Sequence, residues 1–485
     1  MEEPSLKEKT AKGLFWGGLS NGVQQIIGAA FGIVIARILS PGDYGLVGML
    51  AIFTAIANII MESGFTSALT NKKEIRHEDY NAVFWFSLLA GVVMYVLLFF
   101  CAPLIARFYR QPELINLSRF VFLNFLVYGT AIAHHAIMFK KLMVKERAKI
   151  DIVSVLISGL VGLVLALNGF AYWGLAIQTL SFTVIGVILR WYYSPWKPTF
   201  AIDFRPLKEM IGFSFKLFLT NMVWQISNNV FSVILGKFYN EKQVGYYSQG
   251  NKWMILGYMT IGGMISSVAQ PVFVESNGDK ARQLMIFRKM LRFGALVSFP
   301  AMLGLAFIGK EFILMTIGEK WLESVPILQL LCIWGAVAYI STLYTFLLMS
   351  FGKSDIFLYG NIGICILQLA CVAVMFPFGI LPMIGAYVAC YFISILLWHY
   401  FANKLIGIRL RHVLKDILPY LFITAGCFFV AWLVTRGIQN LYLLCALKIT
   451  ITAILYILVM KYSRSAIFKE SVAFLLGHFK KVKME

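Results

Sequence analysis

The chain has 485 residues, 60% of them hydrophobic and only 14% charged, with a mean hydropathy of +0.78. Soluble domains carry about 25% charged residues, so this composition excludes ordinary soluble enzymes and disordered chains and selects an integral membrane protein. An excess of 43 Lys and Arg over 23 Asp and Glu would suggest nucleic acid in a soluble protein; here it marks loops facing anionic headgroups, and no aromatic-basic RNA-binding motif accompanies it.

The first twelve residues are polar. The apolar run behind them, Leu14 to Leu39, is longer than a signal-peptide core, has no clear small-residue cleavage site after it, and is expected to stay in the membrane. Apolar runs separated by short charged or Pro/Gly breaks then place spans near 14–38, 44–69, 82–106, 116–139, 150–168 and 171–193. The second half gives 211–236, 244–270, 291–317, 326–351, 355–376, 382–403, 417–435 and 441–461. Alternate connections, with the two tails, carry 31 Lys and Arg on one side against 8 on the other, which predicts that both termini are cytoplasmic. The basic and apolar stretches from Val272 to Arg292 and from Ser465 to Lys481 read as helices on the inner membrane surface.

An internal repeat runs without a gap at an offset of 200 residues. Phe15, Leu19, Asn21, Val23, Gln25, Ile26, Phe31 and Gly45 recur as Phe215, Leu219, Asn221, Val223, Gln225, Ile226, Phe231 and Gly245. The first and seventh spans run in the same direction, so the halves are expected to be related by an axis along the membrane normal. The predicted fold is an all-α polytopic membrane protein of about fourteen transmembrane helices. Two six-helix lobes (1–200 and 201–405) with a pseudo-two-fold are followed by two C-terminal helices (406–462) and a basic amphipathic tail (463–485).

Polar residues inside the spans are the candidate functional groups. Asn21, Gln25, Gly28 and Gly32 share one helix stripe, repeated by Asn221, Gln225, Asn228 and Ser232. Such stripes either line a wet cavity or pack helices closely. Among the cations, Lys252 is the leading substrate contact, with interfacial snorkelling as the alternative; Arg37 and Lys216 come next, and Lys448 is the weakest. Glu62 reads as the one clearly intramembrane acid, either a coupling-ion site or a partner for a loop group. His134 and His135 read as packed residues. The seven cysteines form no C-x-x-C pair, and no metal or cofactor is expected. No Walker loop, H-E-x-x-H or G-x-S-x-G appears, so there is no visible catalytic site.

The segments ARILSPGDYGLVGM (Ala36 to Met49), ESGFTSAL (Glu62 to Leu69), FCAPLIARFYRQPEL (Phe100 to Leu114), KKLMVKERAKIDI and VGYYSQGNKW (Val244 to Trp253) together resemble polysaccharide exporters. These belong to the multidrug/oligosaccharidyl-lipid/polysaccharide flippase superfamily, and the branch most similar is that of colanic-acid and teichuronic-acid exporters. The resemblance implies a bacterial inner-membrane flippase for undecaprenyl-pyrophosphate-linked repeat units, working by alternating access in capsule, exopolysaccharide or O-antigen synthesis. Implied partners are the lipid-linked oligosaccharide, membrane lipids, and a polysaccharide polymerase and glycosyltransferases; nucleic acid is not among them. In that family a basic residue follows the Gly-Tyr-Tyr-Ser segment, where Lys252 stands. Drug-exporting relatives carry an acid in an early span, and the first span here has none. The competing readings are a cation-coupled drug exporter and a polyprenyl-dependent glycosyltransferase or polymerase.

Overall fold

The computed structural model describes residues 6–471 and 473, except 63, 73, 277 and 464; for 6–20, 71, 211–217, 267, 270, 271 and 354 it describes the backbone alone. Every regular element among the described residues is helical. Burying apolar side chains in lipid requires backbone hydrogen bonds to close within each segment, and helices do this. The chain divides into two compact units, Met1–Ser248 and Gln249–Glu485.

The first unit opens with α1 (Leu6–Ile38) and the short α2 (Pro41–Met49). The start of α2 is fixed locally: Ser40 Oγ accepts from the Asp43 backbone N–H at 3.3 Å, the Asp43 carboxylate accepts from the Ser40 N–H at 2.8 Å, and Pro41 occupies the first turn. The expected second span then continues as α3 (Ala51–Glu62) and α4 (Phe65–Asn71), broken at Gly64, whose φ of 71° suits a residue without Cβ. Next come α5 (His77–Tyr109), α6 (Leu114–Val121), α7 (Leu123–Gly129) and α8 (Ile132–Lys140), with α6–α7 bent by 47° from α8. Then follow α9 (Val144–Leu167), α10 (Tyr172–Tyr193), α11 (Arg205–Phe238) and α12 (Glu241–Glu275), which continues into the second unit. α1 lies along α9, where a Cβ on Gly159 would strike the Phe31 ring at 2.3 Å, and α9 pairs with α10. α11 packs on α3, α4 and α5.

The second unit holds α13 (Lys280–Ser298), α14 (Gly304–Phe307), α15 (Gly309–Thr316), α16 (Ser324–Ser350), α17 (Ser354–Met375), α18 (Ile380–Ile406), α19 (Leu410–Thr435) and α20 (Leu441–Tyr462). A wide helical turn at Phe299–Leu303, beginning beside Pro300, joins α13 to α14. The stretch from Val272 to Arg292 is not a separate surface helix. Its beginning completes α12, Gly278 turns the chain at φ 100°, and Asp279 caps α13 by accepting from the Arg282 N–H.

Among the described residues eleven helical runs are long and apolar enough to cross a membrane, or twelve when the bent pair counts as one span. The protein is therefore a multi-pass, all-helical membrane protein. α11 and α12, at 34 and 35 residues, stand outside that count. They carry the second amide stripe and, in α12, Gln249, Asn251 and Lys252.

Candidate functional site

The two copies of the repeat meet within the first unit, at the starts of α2 and α12. Ser40 caps α2, and 200 residues later Asn240 Oδ1 accepts from the Gln243 N–H at 3.0 Å to cap α12. One turn on, a Cβ placed on Gly45 would lie 1.7 Å from the Glu241 carbonyl oxygen, and one on Gly245 would lie 1.9 Å from the Pro41 carbonyl oxygen. The contact is reciprocal, because residue 41 is to 45 as 241 is to 245. Only glycine permits this approach of backbone to backbone. Around the crossing, Gln111 donates to Glu241 at 2.8 Å, Lys237 donates to the Phe108 carbonyl at 2.7 Å, and Gly236 lies against the Tyr109 ring.

The opposite end of α11 is held differently. Lys72 pairs with Asp79 at 2.9 Å and with Glu209 at 3.1 Å, and Glu209 is 72% exposed. Its hydrogen bond to Asp79 raises the Lys72 ammonium above the ordinary lysine range, so it stays charged through neutral pH. The α10–α11 connection is fastened to α5 by Asn81, which donates to the Ala201 carbonyl and accepts from the Thr199 N–H, and by Trp85, which donates to the Thr199 carbonyl. An open, charged depression of about 760 Å³ lies here, lined by Lys72, Asp79, Arg205 and Glu209 among others.

Between these ends the first unit contains a polar interior. A cavity of about 440 Å³ is lined by Thr54, Asn58, Asn124, Tyr128, Thr179 and Thr183 on an otherwise apolar wall. The Thr54 and Thr179 hydroxyls donate to their own helices, so they present lone pairs to the space, and Asn124 Oδ1 is buried with no hydrogen-bond partner among the described residues. Tyr128 links the cavity to Glu62, donating to its carboxylate at 2.7 Å. Glu62 is thus the partner of an intramembrane tyrosine, and no loop cation pairs with it among the described residues. Arg190 lies within electrostatic reach of Tyr128 and His135, and it pairs with Asp151 at 3.4 Å; Arg147 and the Gln24 side chain also act on Asp151. This group was missed by sequence reasoning because Arg147 and Arg190 read as loop charges. The available signal was the i, i+4 spacing of Arg147 and Asp151 at the start of α9.

The sequence-predicted residues fall as follows. Asn21 and Asn221 are exposed, and Gln25, Gln225 and Asn228 are half-buried on α1 and α11. Asn229 donates to both the carbonyl and the side-chain oxygen of Gln225. A Cβ on Gly28 would meet nothing within 4 Å, which is the opposite of a close-packing glycine. Arg37 is exposed near the end of α1, and the Lys216 side chain lies outside the described residues. Lys252 is half-buried beside Trp253, its Nζ 5.7 Å from the ring, and among the described residues it has no hydrogen-bond or ion-pair partner. Glu62 is not the one acid on a span-length helical run, since Asp151 lies inside α9; in the second unit Glu311 pairs at 2.7 Å with Lys448 of α20. Lys448 is therefore a strut between helices. His134 is fully buried among Phe84, Trp191 and Trp196. No cluster of metal-ligating side chains occurs among the described residues.

A family model described as "Polysaccharide biosynthesis protein" matches residues 34–326. The chain is 25% identical to the teichuronic acid biosynthesis protein TuaB of Bacillus subtilis (strain 168) over 463 residues, covering 93% of this chain and 94% of that one. It is 24% identical to the lipopolysaccharide biosynthesis protein WzxC of Escherichia coli (strain K12) over 358 residues, covering 73% and 72%. Its fold matches that of a solved lipid II flippase, MurJ, in an inward closed conformation, with a TM-score of 0.77 at 16% identity over 93% of this chain and 99% of the other. The chain belongs to the polysaccharide biosynthesis protein family of bacterial export proteins, with the fold of the multidrug/oligosaccharidyl-lipid/polysaccharide flippase superfamily. It is a multi-pass helical membrane protein of that family.

Proposed function

We propose that this protein moves undecaprenyl-pyrophosphate-linked oligosaccharide repeat units from the cytoplasmic to the periplasmic leaflet of the bacterial inner membrane. It does so by alternating access, with fourteen spans arranged as two lobes and two further helices, both termini in the cytoplasm, and the Lys72 end of α11 inside. It supplies a polysaccharide polymerase with units built by glycosyltransferases.

The observation that carries the mechanism is the reciprocal crossing of α2 and α12. A transporter that alternates needs a contact which forms and breaks as a unit, since packed interfaces are bistable and do not deform continuously. Two glycines facing two backbones provide such a seal without interlocking side chains. The headgroup to be moved is anionic and rich in hydroxyls. In the first unit Arg147 and Arg190 are cation candidates for the pyrophosphate, with Arg37 and Lys216 as further ones; Lys252 is the candidate in the second unit. The amides Asn21, Gln25, Asn221, Gln225 and Asn228 suit sugar hydroxyls, and the open space at Gly28 favours their facing a cavity. Glu62, joined to Tyr128 at the wall of the adjoining cavity, is the proposed coupling acid.

Deletion of the gene, followed by analysis of lipid-linked intermediates, tests the reading. Complete repeat units trapped facing the cytoplasm are expected. Units exported but left unpolymerised would identify a polymerase, and normal surface glycan with new drug sensitivity would identify a drug exporter.

A further inference from the structure

In the second unit, α13, α19 and the segment after α20 enclose a cavity of about 400 Å³ lined by Arg288, Arg292, Lys415, Tyr420, Ser463 and Ser465, with Asp416 at its side. Asp416 is buried and already satisfied: Arg288 grips it with two hydrogen bonds of 2.6 and 3.0 Å. Arg292 donates its Nε to the Arg288 carbonyl at 3.2 Å and stands 3.6 Å from Asp416, which leaves its two terminal nitrogens for another acceptor. Lys415 is exposed and has no partner among the described residues. Three cations against one carboxylate leave two positive charges over the space.

The far wall is hydroxylic. Tyr420 and Ser465 share a hydrogen bond of 3.3 Å, and Ser463 points its donor at the Met460 carbonyl, leaving its lone pairs available. Beyond Ile467, which lines both spaces, lies an apolar groove of about 330 Å³ formed by Met264, Ile265, Val268, Ile286 and Phe293. A doubly positive pocket with hydroxyls, next to an apolar groove at the end of membrane helices, has the chemistry of a lipid headgroup site. A soluble phosphate would have no use for the groove.

We propose that this pocket binds the phosphodiester of an anionic glycerophospholipid of the phosphatidylglycerol type, with the phosphate on Arg292 and Lys415, the glycerol hydroxyls toward Ser463 and Ser465, and an acyl chain in the groove past Ile467. The Arg288–Asp416 pair is the fixed floor of the site. An annular lipid held there would anchor α13 to α19 independently of the substrate path, so the inference stands apart from the proposed flippase reaction.

Native mass spectrometry of the detergent-purified full chain tests it, with phosphatidylglycerol, phosphatidylcholine of the same acyl chains, and glycerol 1-phosphate as probes. Phosphatidylglycerol is expected to survive activation preferentially, and Arg292→Gln with Lys415→Gln to cut its retention about tenfold, the loss of a charge-assisted contact, while phosphatidylcholine adducts stay unchanged. Equal retention of the two lipids by the unaltered protein would overturn the proposal, as would a double variant that keeps phosphatidylglycerol. Glycerol 1-phosphate binding as well as phosphatidylglycerol would show a free-anion site and overturn the lipid assignment.

Discussion

The two ends of α11 are fastened by different physics. At the Asn240 end, backbone meets backbone through Gly45 and Gly245, and shifting either glycine's neighbour means moving a helix. At the Arg205 end, where Leu207 and Met210 are buried, the ion pair across to α11 among the described residues runs from Lys72 to Glu209, whose carboxylate is mostly in water. Exposed ion pairs contribute about 0–1 kcal/mol because solvent competes for both partners, whereas forcing atoms into a packed contact costs about 1–3 kcal/mol. The first contact therefore tolerates no added atom, whereas the Lys72–Glu209 pair at the second is weak on its own. A protein that must expose a site to one side at a time gains direction from that inequality.

Substitution at the crossing should have the largest effect. Gly45→Ala and Gly245→Ala each place a methyl group inside a backbone atom, so each should cost the sealed state about 2 kcal/mol, about thirtyfold in its population. Cysteines introduced near Gly42 should then become more reactive to an impermeant thiol reagent, and surface glycan should fall at matched protein levels. Unchanged labelling and normal glycan would show that the approach is not a gate.

The cations come next. Arg190→Gln should lower export more than Lys252→Gln, because it removes a cation and also the ion-pair partner of Asp151, leaving that carboxylate with Arg147 and Gln24 alone. Lys252→Arg should retain much of the activity that Lys252→Gln loses, since it keeps the charge, and Lys252→Glu should be worst. Near-normal glycan with Lys252→Gln would leave Lys252 as an interfacial anchor beside Trp253.

Glu209→Gln should be the mildest change, at most about fivefold in the balance of states, from an exposed pair worth up to about 1 kcal/mol. The pH dependence sharpens the contrast. A folded-state pKa raised above the usual lysine value makes the pair's contribution fully present below that value and lost only as pH rises through the raised one. Opening at the Lys72 end, followed by thiol labelling near Arg205, should accordingly be flat across neutral pH and increase only at strongly alkaline pH.

Much of this architecture was legible in the sequence. Apolar runs and basic connections locate the long helices, because lipid demands both a length and a polarity of them. The repeat also brought Gly45 and Gly245 forward as identities. Their role was not legible, since two glycines in register gain meaning only when their helices touch. The break at Gly64 and the bend between α7 and α8 were hidden inside apolar runs, where hydropathy carries no signal for backbone direction. Arg190 and Asp151 were missed for another reason: a charge three residues from a helix end reads as interfacial, and only the fold shows that it turns inward onto a neighbouring helix. The partner of Lys448 was not legible either, since Glu311 comes from 137 positions earlier in the chain.

Whether the chain by itself carries a lipid-linked glycan across the bilayer can be measured directly. The direct measurement uses proteoliposomes containing the purified protein and a radiolabelled polyprenyl-pyrophosphate oligosaccharide sealed within both leaflets. A membrane-impermeant glycan-modifying enzyme added outside reports what reaches the outer face. Unaltered protein should let the enzyme consume the inner-leaflet pool as well, and Gly45→Ala should slow this sharply. An inner pool as well protected as in protein-free liposomes would contradict it.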